Sequence, residues 1–341
     1  MISKILEEEY KKIANALGDK KDLLKNKSIL VTGANGLIGS YLSEFLIYCG
    51  ANVYAMSRSM EKLKKRFKNC SGINFIEQDL NEPIKTDYKY DYIIHTASNS
   101  HPLAFSQDPV GTMKANLFGT MNLLECAKKS NSKFLYLSTG EIYGNNIDHA
   151  FTEEDLGSVD TKLARSCYPE SKRAAETLCI AYNSQYDVNV NIARLCYVYG
   201  PTITDTNSRA DAQFLRNALN GEDIILKSKG AQRRTYCYVA DTVCALLYIL
   251  LYGENSEVYN ISNPTSIVSV AEYAKTLADI AGVNLKFELP TEVEAKGYSK
   301  QADSILDSTK LQNIGWKPLY NITEGLTNTI SIKKELQCLK V

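Results

Sequence analysis

The chain has 341 residues, of which 44% are hydrophobic and 23% charged, and its 39 basic and 39 acidic residues give a formal net charge of zero. This balance excludes a broad basic surface for nucleic acid and provides no attraction to an anionic membrane. No stretch approaches the ~20 apolar residues of a membrane span, and the nine scattered cysteines include no CxxC pair. We therefore expect a globular cytoplasmic protein with reduced thiols and no metal site.

The N-terminal segment predicts an amphipathic helix. Apolar residues recur with helical spacing from Ile2 to Leu17, and Gly18 is a suitable end. We interpret residues 1–25 as a helical extension docked on the fold, with a partner interface as the alternative.

From residue 26 onward, strands and helices alternate. Short apolar runs predict six strands, at residues 28–32, 52–56, 73–76, 90–95, 133–138 and 188–193. Helical patterns separate several of them, at residues 37–49, 112–129 and 168–186. Alternation with short connections predicts an α/β fold built on a doubly wound parallel (Rossmann) sheet.

The pattern changes after Gly200, where the loops lengthen. Further helices are predicted at residues 210–219, 240–251 and 270–281, with a turn at 315–318 before the last helix. We expect a dinucleotide-binding domain at 26–200 and a smaller α/β lobe at 201–335 that mainly binds substrate, at the sheet's carboxyl edge.

A glycine motif follows the first predicted strand. In this Gly-x-x-Gly-x-x-Gly pattern, Gly33 permits a tight turn, Gly36 allows backbone to approach a pyrophosphate, and Gly39 allows close helix–strand packing. The helix N-terminus would offer free N–H groups to the phosphates. The expected cofactor-binding residues of this loop also include Asn35, Leu37 and Ile38.

The end of the second strand bears on the choice between NAD and NADP. An acid here commonly binds the adenosine ribose, but this strand ends in Ser57-Arg58. Serine and arginine would accept a 2′-phosphate, which favours NADP, unless Arg58 is an ordinary surface residue.

Two later pairs of residues, together with Asn116, Tyr168 and Lys172, complete the predicted cofactor site. Asp79 and Leu80 follow the third strand, where they would meet the adenine. Ala97 and Ser98 follow the fourth and would lie beside the cofactor. His95 has no evident partner in the sequence, and we interpret it as structural.

A Tyr-x-x-x-Lys pair lies on the helix after the fifth strand. At a spacing of four residues, Tyr168 and Lys172 share one helix face. A free tyrosine has a pKa of about 10, which a nearby ammonium and a nicotinamide cation would lower. Together with Ser138-Thr139 at the end of the fifth strand, the pair predicts a dehydrogenase site, with a surface pair as the alternative.

These motifs jointly resemble the extended short-chain dehydrogenase/reductases that act on nucleotide sugars, the NAD(P)-dependent epimerase/dehydratase family. The resemblance runs from about Lys27 to Pro318. It rests on Gly33, Gly36, Gly39, Asn116, Gly119-Thr120, residues 138–144, Tyr168, Lys172, residues 199–201, Arg234 and residues 238–241.

The resemblance implies a tightly bound, recycled NAD or NADP and a nucleotide-diphosphate sugar as substrate. Tyr168 would take the proton of the sugar 4-hydroxyl while hydride leaves C4, and Thr139 would hold the same oxygen. Lys172 would support Tyr168, and Asn116 would be a structural, water-binding residue.

The expected substrate site includes four further residues. Arg234 would pair with the diphosphate through its forked guanidinium. Arg165 is either a sugar or phosphate contact or part of a surface salt bridge. Ser138 and Arg209 complete the set.

Glu141 bears on the second chemical step. The resemblance implies a base for the C5 proton, as in 4,6-dehydratases, and Glu is also typical here of UDP-glucuronate decarboxylases; a loop cap is the structural alternative. We expect 4,6-dehydration or epimerisation after C4 oxidation, with UDP-glucuronate decarboxylation as the alternative. Residues 165–168 and 172–179 resemble the decarboxylases, but residues 301–308 lack the arginine that those enzymes carry, and Tyr197 replaces a common asparagine.

Two other classes remain open: a non-catalytic dinucleotide-binding scaffold and a simple reductase. Similar proteins form homodimers through the helices at 112–129 and 168–186, and we expect the same here. No nucleic-acid or membrane partner is expected.

Overall fold

The computed structural model describes residues 3–84, 88–100, 102–144, 149–288 and 303–338. The strands are β1 (Ser28–Thr32), β2 (Asn52–Ser57), β3 (Ile73–Glu77), β4 (Tyr92–His95), β5 (Lys133–Thr139), β6 (Val190–Leu195), β7 (Tyr197–Tyr199), β8 (Ile224–Leu226), β9 (Arg233–Tyr238), β10 (Val258–Ile261), β11 (Ile267–Ser269) and β12 (Leu285–Phe287).

The α-helices are α1 (Lys4–Leu17), α2 (Leu37–Tyr48), α3 (Met60–Arg66), α4 (Pro102–Gln107), α5 (Pro109–Ser130), α6 (Cys167–Tyr186), α7 (Ala210–Asn220), α8 (Val239–Tyr252), α9 (Val270–Ala281), α10 (Thr309–Asn313) and α11 (Ile322–Cys338). Short 3₁₀ helices span Gly18–Leu24, Gly140–Tyr143 and Ala164–Ser166. None of the helices in these described ranges combines the length and apolar character that a bilayer span needs.

The central sheet has seven strands in the order β10-β6-β5-β4-β1-β2-β3, and every neighbouring pair is parallel. The chain runs outward from β1 to β3 and then crosses back to β4, so the strand order reverses between β1 and β4. Ligands of open α/β sheets bind at this switch point, outside the strands' carboxyl ends. The predicted doubly wound parallel sheet is confirmed.

The strand β10 adds a seventh member that the sequence did not predict. Its four residues pair with β6 from Val258↔Ile192 to Ile261↔Leu195. The central sheet therefore draws residues from beyond the expected boundary at residue 200. The two-domain division stays a prediction, while the other strands after residue 196 form two small sheets, β11-β9-β7 and β12-β8.

The N-terminal helix α1 is docked through a buried carboxylate. Glu9 is 1% exposed. It accepts hydrogen bonds from Tyr41 on α2, Tyr238 at the end of β9 and Asn328 on α11. Because three separate elements meet one side chain, α1 is part of the folded unit. Ile2, from the predicted pattern, lies outside the described residues.

Candidate active site

A cavity of about 400 Å³ lies at the carboxyl edge of the sheet. Its walls are the segments that follow β1 to β5, the start of α6, the chain around β7, and a segment near the C-terminus. The lining residues fall in the ranges 33–39, 56–62, 78–81, 96–100, 138–141, 195–198, 204–209 and 304–306, with Ala115 and Tyr168. The predicted cofactor and catalytic positions are thus brought largely to one place.

The glycine loop has the geometry that a pyrophosphate needs. Gly33 has φ +61°, and a Cβ there would lie 2.7 Å from the Ala97 Cα; a Cβ on Gly39 would lie 2.5 Å from the Gly33 oxygen. Gly36 is the N-cap of α2 and provides no side-chain cap. The first N–H groups of α2 therefore remain available to a phosphate at the cavity wall, where Asn35, Leu37 and Ile38 also lie.

The cavity wall that follows β2 contains more basic charge than the sequence predicted. Ser57 and Arg58 line it as expected, and so do Ser59 and Lys62. Ser59 caps α3 by accepting from the Lys62 backbone N–H, which turns that first turn toward the cavity. A Ser-x-x-Lys pattern directly after Arg58 was the overlooked signal. Asp79 and Leu80 line the neighbouring wall.

The end of β4 is held by a buried asparagine. Ala97 and Ser98 line the cavity. The Ser98 hydroxyl donates to Asn116 Oδ1 at 2.8 Å, and Asn116 Nδ2 donates to the Ser171 hydroxyl at 2.8 Å. Asn116 is 1% exposed and lies behind the lining residues. It therefore links the cavity wall to α6.

Tyr168 reaches the cavity from the first turn of α6, next to Thr139 at the end of β5. Burial raises the pKa of Tyr168 well above its ordinary value, and the charge of Glu141 raises it further, whereas a hydrogen bond from Thr139 lowers it. The protein's own groups thus favour the neutral phenol. Ionisation would need more positive charge in the cavity.

Lys172 lies one helical turn further along, behind the lining residues. Its Nζ donates to the Leu137 carbonyl at 2.7 Å, and the residue is 3% exposed. Burial lowers the pKa of Lys172 to about 7. The Lys172 side chain can thus exchange a proton near neutral pH, which is a property of catalytic lysines.

Glu141 and Arg165 form an ion pair at the cavity. The Arg165 Nη2 is 2.7 Å from the Glu141 Oε2, and about half of the Arg165 side chain is exposed. Its guanidinium also lies 4.9 Å from the centre of the Phe105 ring. Of the two interpretations of Arg165, the salt bridge is therefore present, and its partner is the predicted base.

Two expected substrate residues line the cavity directly. The Ser138 hydroxyl is buried and has no hydrogen-bond partner among the described residues. Arg209 donates to the Val198 carbonyl at 2.6 Å and pairs with Asp211 at 2.7 Å. These contacts fix the Arg209 side chain, so its position is set before any ligand arrives.

Arg234 lies one layer further back than predicted. Its guanidinium lies 4.4 Å from the centre of the Tyr197 ring and donates to the Gln232 side chain, whereas Tyr197 itself lines the cavity. The contact between Arg234 and a diphosphate stays a prediction. It requires the Tyr197 side chain to leave enough room for the ligand to reach Arg234.

The C-terminal segment contributes wall residues that the sequence did not predict. Ser304 and Leu306 line the cavity, and isolated β-bridges hold them against Arg234 and Phe151. Ser304 lies within the range in which the resemblance leads one to look for an arginine. Gln301, at the start of that range, lies outside the described residues.

Comparison with known proteins agrees with this geometry. The NAD dependent epimerase/dehydratase family model matches residues 29–262. UDP-glucuronic acid decarboxylase 6 of Arabidopsis thaliana is 32% identical over 314 residues, which are 91% of this chain and 90% of that protein. The UDP-glucose 4-epimerase of Thermotoga maritima, solved with UDP-glucose, is 26% identical with a TM-score of 0.77, over 91% of this chain and 99% of that one.

A further solved structure is similar in fold. The dTDP-glucose 4,6-dehydratase of Bacillus anthracis, in complex with NAD, has a TM-score of 0.75 at 22% identity and covers 91% of this chain and 97% of that one.

Proposed function

The chain belongs to the NAD-dependent epimerase/dehydratase family, and on that premise we propose that it oxidises the C4 hydroxyl of a nucleotide-diphosphate sugar and then changes the sugar at C5. The observation that carries the proposal is the single cavity shared by the glycine loop, Thr139, Glu141 and Tyr168. A dinucleotide laid along the loops after β1 to β4 would end beside these three side chains.

Each side chain has a distinct task in this reaction. The loops after β1 to β4 would hold an oxidised nicotinamide cofactor, which would supply positive charge and the acceptor for the C4 hydride. Tyr168 takes the proton of the 4-hydroxyl, Thr139 hydrogen-bonds the same oxygen, and Lys172 supports the phenolate with its ammonium. Because the protein alone keeps Tyr168 neutral, we expect proton transfer only when cofactor and sugar are both bound.

Glu141 would carry the second step. The 4-keto group acidifies the C5–H bond, and a carboxylate on this wall can remove that proton for 4,6-dehydration or epimerisation. Its ion pair with Arg165 holds the carboxylate in place at this wall. No acid stands at residue 140, which is Gly140 with the Leu306 side chain closely beside it.

Decarboxylation of UDP-glucuronate is the second candidate. The decarboxylase of Arabidopsis thaliana matches 91% of the chain. Arg165 provides a half-exposed guanidinium beside Glu141, a group suited to a sugar carboxylate. This reaction would use the same C4 oxidation, after which the keto group labilises the carboxylate.

For the cofactor, we propose NADP rather than NAD. Ser57, Arg58, Ser59 and Lys62 surround the adenosine end of the cavity. Two cations and two hydroxyls suit a 2′-phosphate better than a bare ribose.

We also propose a homodimer through α5 and α6. Large apolar side chains on α5 are exposed: Val110, Met113, Phe118 and Met121. Ile180 on α6 is exposed as well. A second copy of this face would cover both sets.

A nucleotide-sugar panel tests the proposal. The purified protein is incubated with NAD or NADP and UDP-glucose, UDP-glucuronic acid, dTDP-glucose or GDP-mannose, and the products are weighed by mass spectrometry. Loss of water, loss of carbon dioxide and unchanged mass with a new sugar identify dehydration, decarboxylation and epimerisation.

The controls separate enzyme from scaffold. Tyr168→Phe should abolish product formation while cofactor binding persists, whereas Tyr186→Phe, at an exposed tyrosine of the same helix, should not. Wild-type protein that binds cofactor but converts no sugar would be a non-catalytic scaffold. In a parallel incubation with NADPH, its stoichiometric consumption with release of NADP would identify a simple reductase.

A further inference from the structure

Two polar side chains that the proposed reaction does not use lie buried beneath the cavity. His95 ends β4, Tyr136 lies in β5, and the two are direct neighbours in the sheet. Their ring centres are 5.6 Å apart. His95 is 1% exposed and Tyr136 fully buried. Burial of this degree requires each polar atom to find a partner.

The hydrogen bonds of His95 favour one position for its proton. Nδ1 lies 2.8 Å from the Thr32 hydroxyl oxygen, which also accepts the Ala97 N–H. This arrangement suits a Thr32 hydroxyl that donates to Nδ1, in which case the neutral ring carries its own hydrogen on Nε2. Burial and the charge of Lys172 lower the pKa of His95 to about 3, so the ring stays neutral.

Three polar groups at this place have unused hydrogen-bonding capacity. Within the described ranges, His95 Nε2 has no hydrogen-bond partner, and the Tyr136 hydroxyl makes no short hydrogen bond, although the Thr120 hydroxyl on α5 faces it. The Lys172 Nζ lies 4.8 Å from the centre of the Tyr136 ring, and its hydrogen bond to Leu137 uses one of its three donors.

We propose that His95, Tyr136 and Lys172 together bind one ordered water molecule, which makes His95 a positioning residue for the Lys172 ammonium. The water accepts from His95 Nε2–H and from Lys172 Nζ, and donates to the Tyr136 oxygen. Buried waters typically make about three such bonds to groups that are otherwise unsatisfied.

This role rests on the proposed function, because it acts through Lys172 on Tyr168. The groups that face Lys172 are Glu176 and Cys179 on α6, His95 on β4 and Tyr136 on β5. A water held by His95 gives the ammonium an acceptor in a site that otherwise penalises charge. Loss of this water destabilises the charged form of Lys172. The Tyr168 phenolate then loses part of the positive charge that stabilises it.

The pH profile of kcat/KM provides the first test. In His95→Asn the shorter amide can still bond Thr32 but cannot reach the water, so the acidic limb should move up by about one pH unit. In His95→Gln the amide nitrogen replaces Nε2 and should restore most of the wild-type profile. If the acidic limb of the kcat/KM profile lies at the same pH in the wild type and in His95→Asn, the proposal is overturned.

Tyr136→Phe keeps the ring and removes only the oxygen. It therefore tests the same water even if substitution of His95 causes a folding defect. Its shift should not add to that of His95→Asn in the double variant, because both remove the same water. Fully additive shifts would mean that the two side chains act independently, and would contradict the shared site.

A second measurement needs no activity. The chain has only three histidines, so ¹⁵N-histidine labelling resolves their tautomers, and His95→Asn assigns one set of signals. We expect the Nε2–H tautomer in the holoenzyme and, in a high-resolution crystal structure, a water within hydrogen-bond distance of all three groups. An Nδ1–H tautomer or the absence of that water would refute the site.

The control is His149→Asn, at an exposed histidine paired with Asp155. It should remove one set of signals and leave the pH profile unchanged. If the wild-type protein oxidises no nucleotide sugar, the proposed function fails, while the tautomer and the water still decide whether the site exists.

Discussion

The Phe105 ring stacks on the Tyr168 ring, with 5.4 Å between their centres and 20° between their planes. Phe105 is 3% exposed and belongs to the short helix α4. Its carbonyl oxygen is also 3.8 Å from the Cys167 Sγ, which donates to it. The helix α4 therefore braces the first turn of α6 and the plane of the Tyr168 ring.

This brace predicts a kinetic effect for Phe105→Leu. Leucine keeps an apolar contact but loses the flat surface, so the Tyr168 ring gains freedom and kcat should fall about 10- to 100-fold, as small misplacements of reacting groups do. Cofactor affinity, measured by calorimetry, should stay within a factor of about two because Phe105 does not line the cofactor end.

The matched control is Phe287→Leu, the same change on the exposed strand β12. It should leave kcat unchanged. A Phe105→Leu enzyme with wild-type kcat would mean that Tyr168 is held by its own helix alone.

The basic residues at the adenosine end predict cofactor selectivity. The double variant Arg58→Gln/Lys62→Gln should weaken NADP binding at least about 10-fold, since it removes charge-assisted hydrogen bonds. NAD binding should change less than about twofold, because NAD has no phosphate at this position. Equal losses for both cofactors, measured by fluorescence titration, would contradict the assignment.

The neighbouring lysines provide a control for general charge effects. Lys64 and Lys65 are exposed on the same helix α3. The variant Lys64→Gln/Lys65→Gln removes the same net charge and should leave the preference between NADP and NAD intact.

The residues found from sequence share one property: their signal is local. The glycine loop and the Tyr168–Lys172 pair each lie within a few residues on one strand–helix unit, so spacing alone relates their side chains. The doubly wound parallel sheet followed from the alternation of elements, because crossover connections admit few topologies.

Apart from Ser59 and Lys62, whose pattern is local, the residues that were missed depend on contacts between distant parts of the chain. Ser304 reaches the wall through a bridge with Arg234, 70 residues away, and four-residue β10 is too short for its pattern to distinguish a strand from a loop. The partner of His95 was missed for the same reason, since Thr32 lies on a neighbouring strand 63 residues earlier. Tertiary packing sets these relationships, and no local pattern encodes them.

The exposed apolar face of α5 predicts a dimer that charge can break. Met113 and Phe118 are 38% and 45% exposed. In Met113→Glu/Phe118→Glu, two carboxylates would be buried without partners at the interface, so sedimentation should change from dimer to monomer. The control Leu156→Glu, at an 86% exposed loop residue, should leave the dimer intact. A wild-type monomer would refute this interface.

Asp241 predicts the pH dependence of stability. Its Oδ1 accepts the Leu319 N–H at 2.6 Å, but Oδ2 is buried with no partner in the described part of the chain. Burial raises the pKa of Asp241 from 3.8 to about 7, although the backbone N–H groups of Leu319 and Tyr320 oppose the shift. Between these two pH values the folded state retains a proton that the unfolded chain has lost. The contribution of the protonated Asp241 carboxyl to the free energy of unfolding is therefore complete below pH 3.8 and is lost as the pH rises through about 7.

Asp241→Asn should remove this dependence. The amide oxygen can still accept from Leu319, and no buried charge forms as the pH rises. Between pH 5 and pH 8, the wild type should lose on the order of 2 kcal/mol of unfolding free energy relative to the variant. Urea titrations read by the single tryptophan, buried Trp316, measure this difference.

The raised pKa of Glu9 acts in the same direction but is common to both proteins and cancels. The control is Asp279→Asn, at an exposed residue of α9, whose unfolding free energy should change with pH as that of the wild type does. If the unfolding free energy of Asp241→Asn also followed the wild type, Asp241 would titrate alike in the folded and unfolded states.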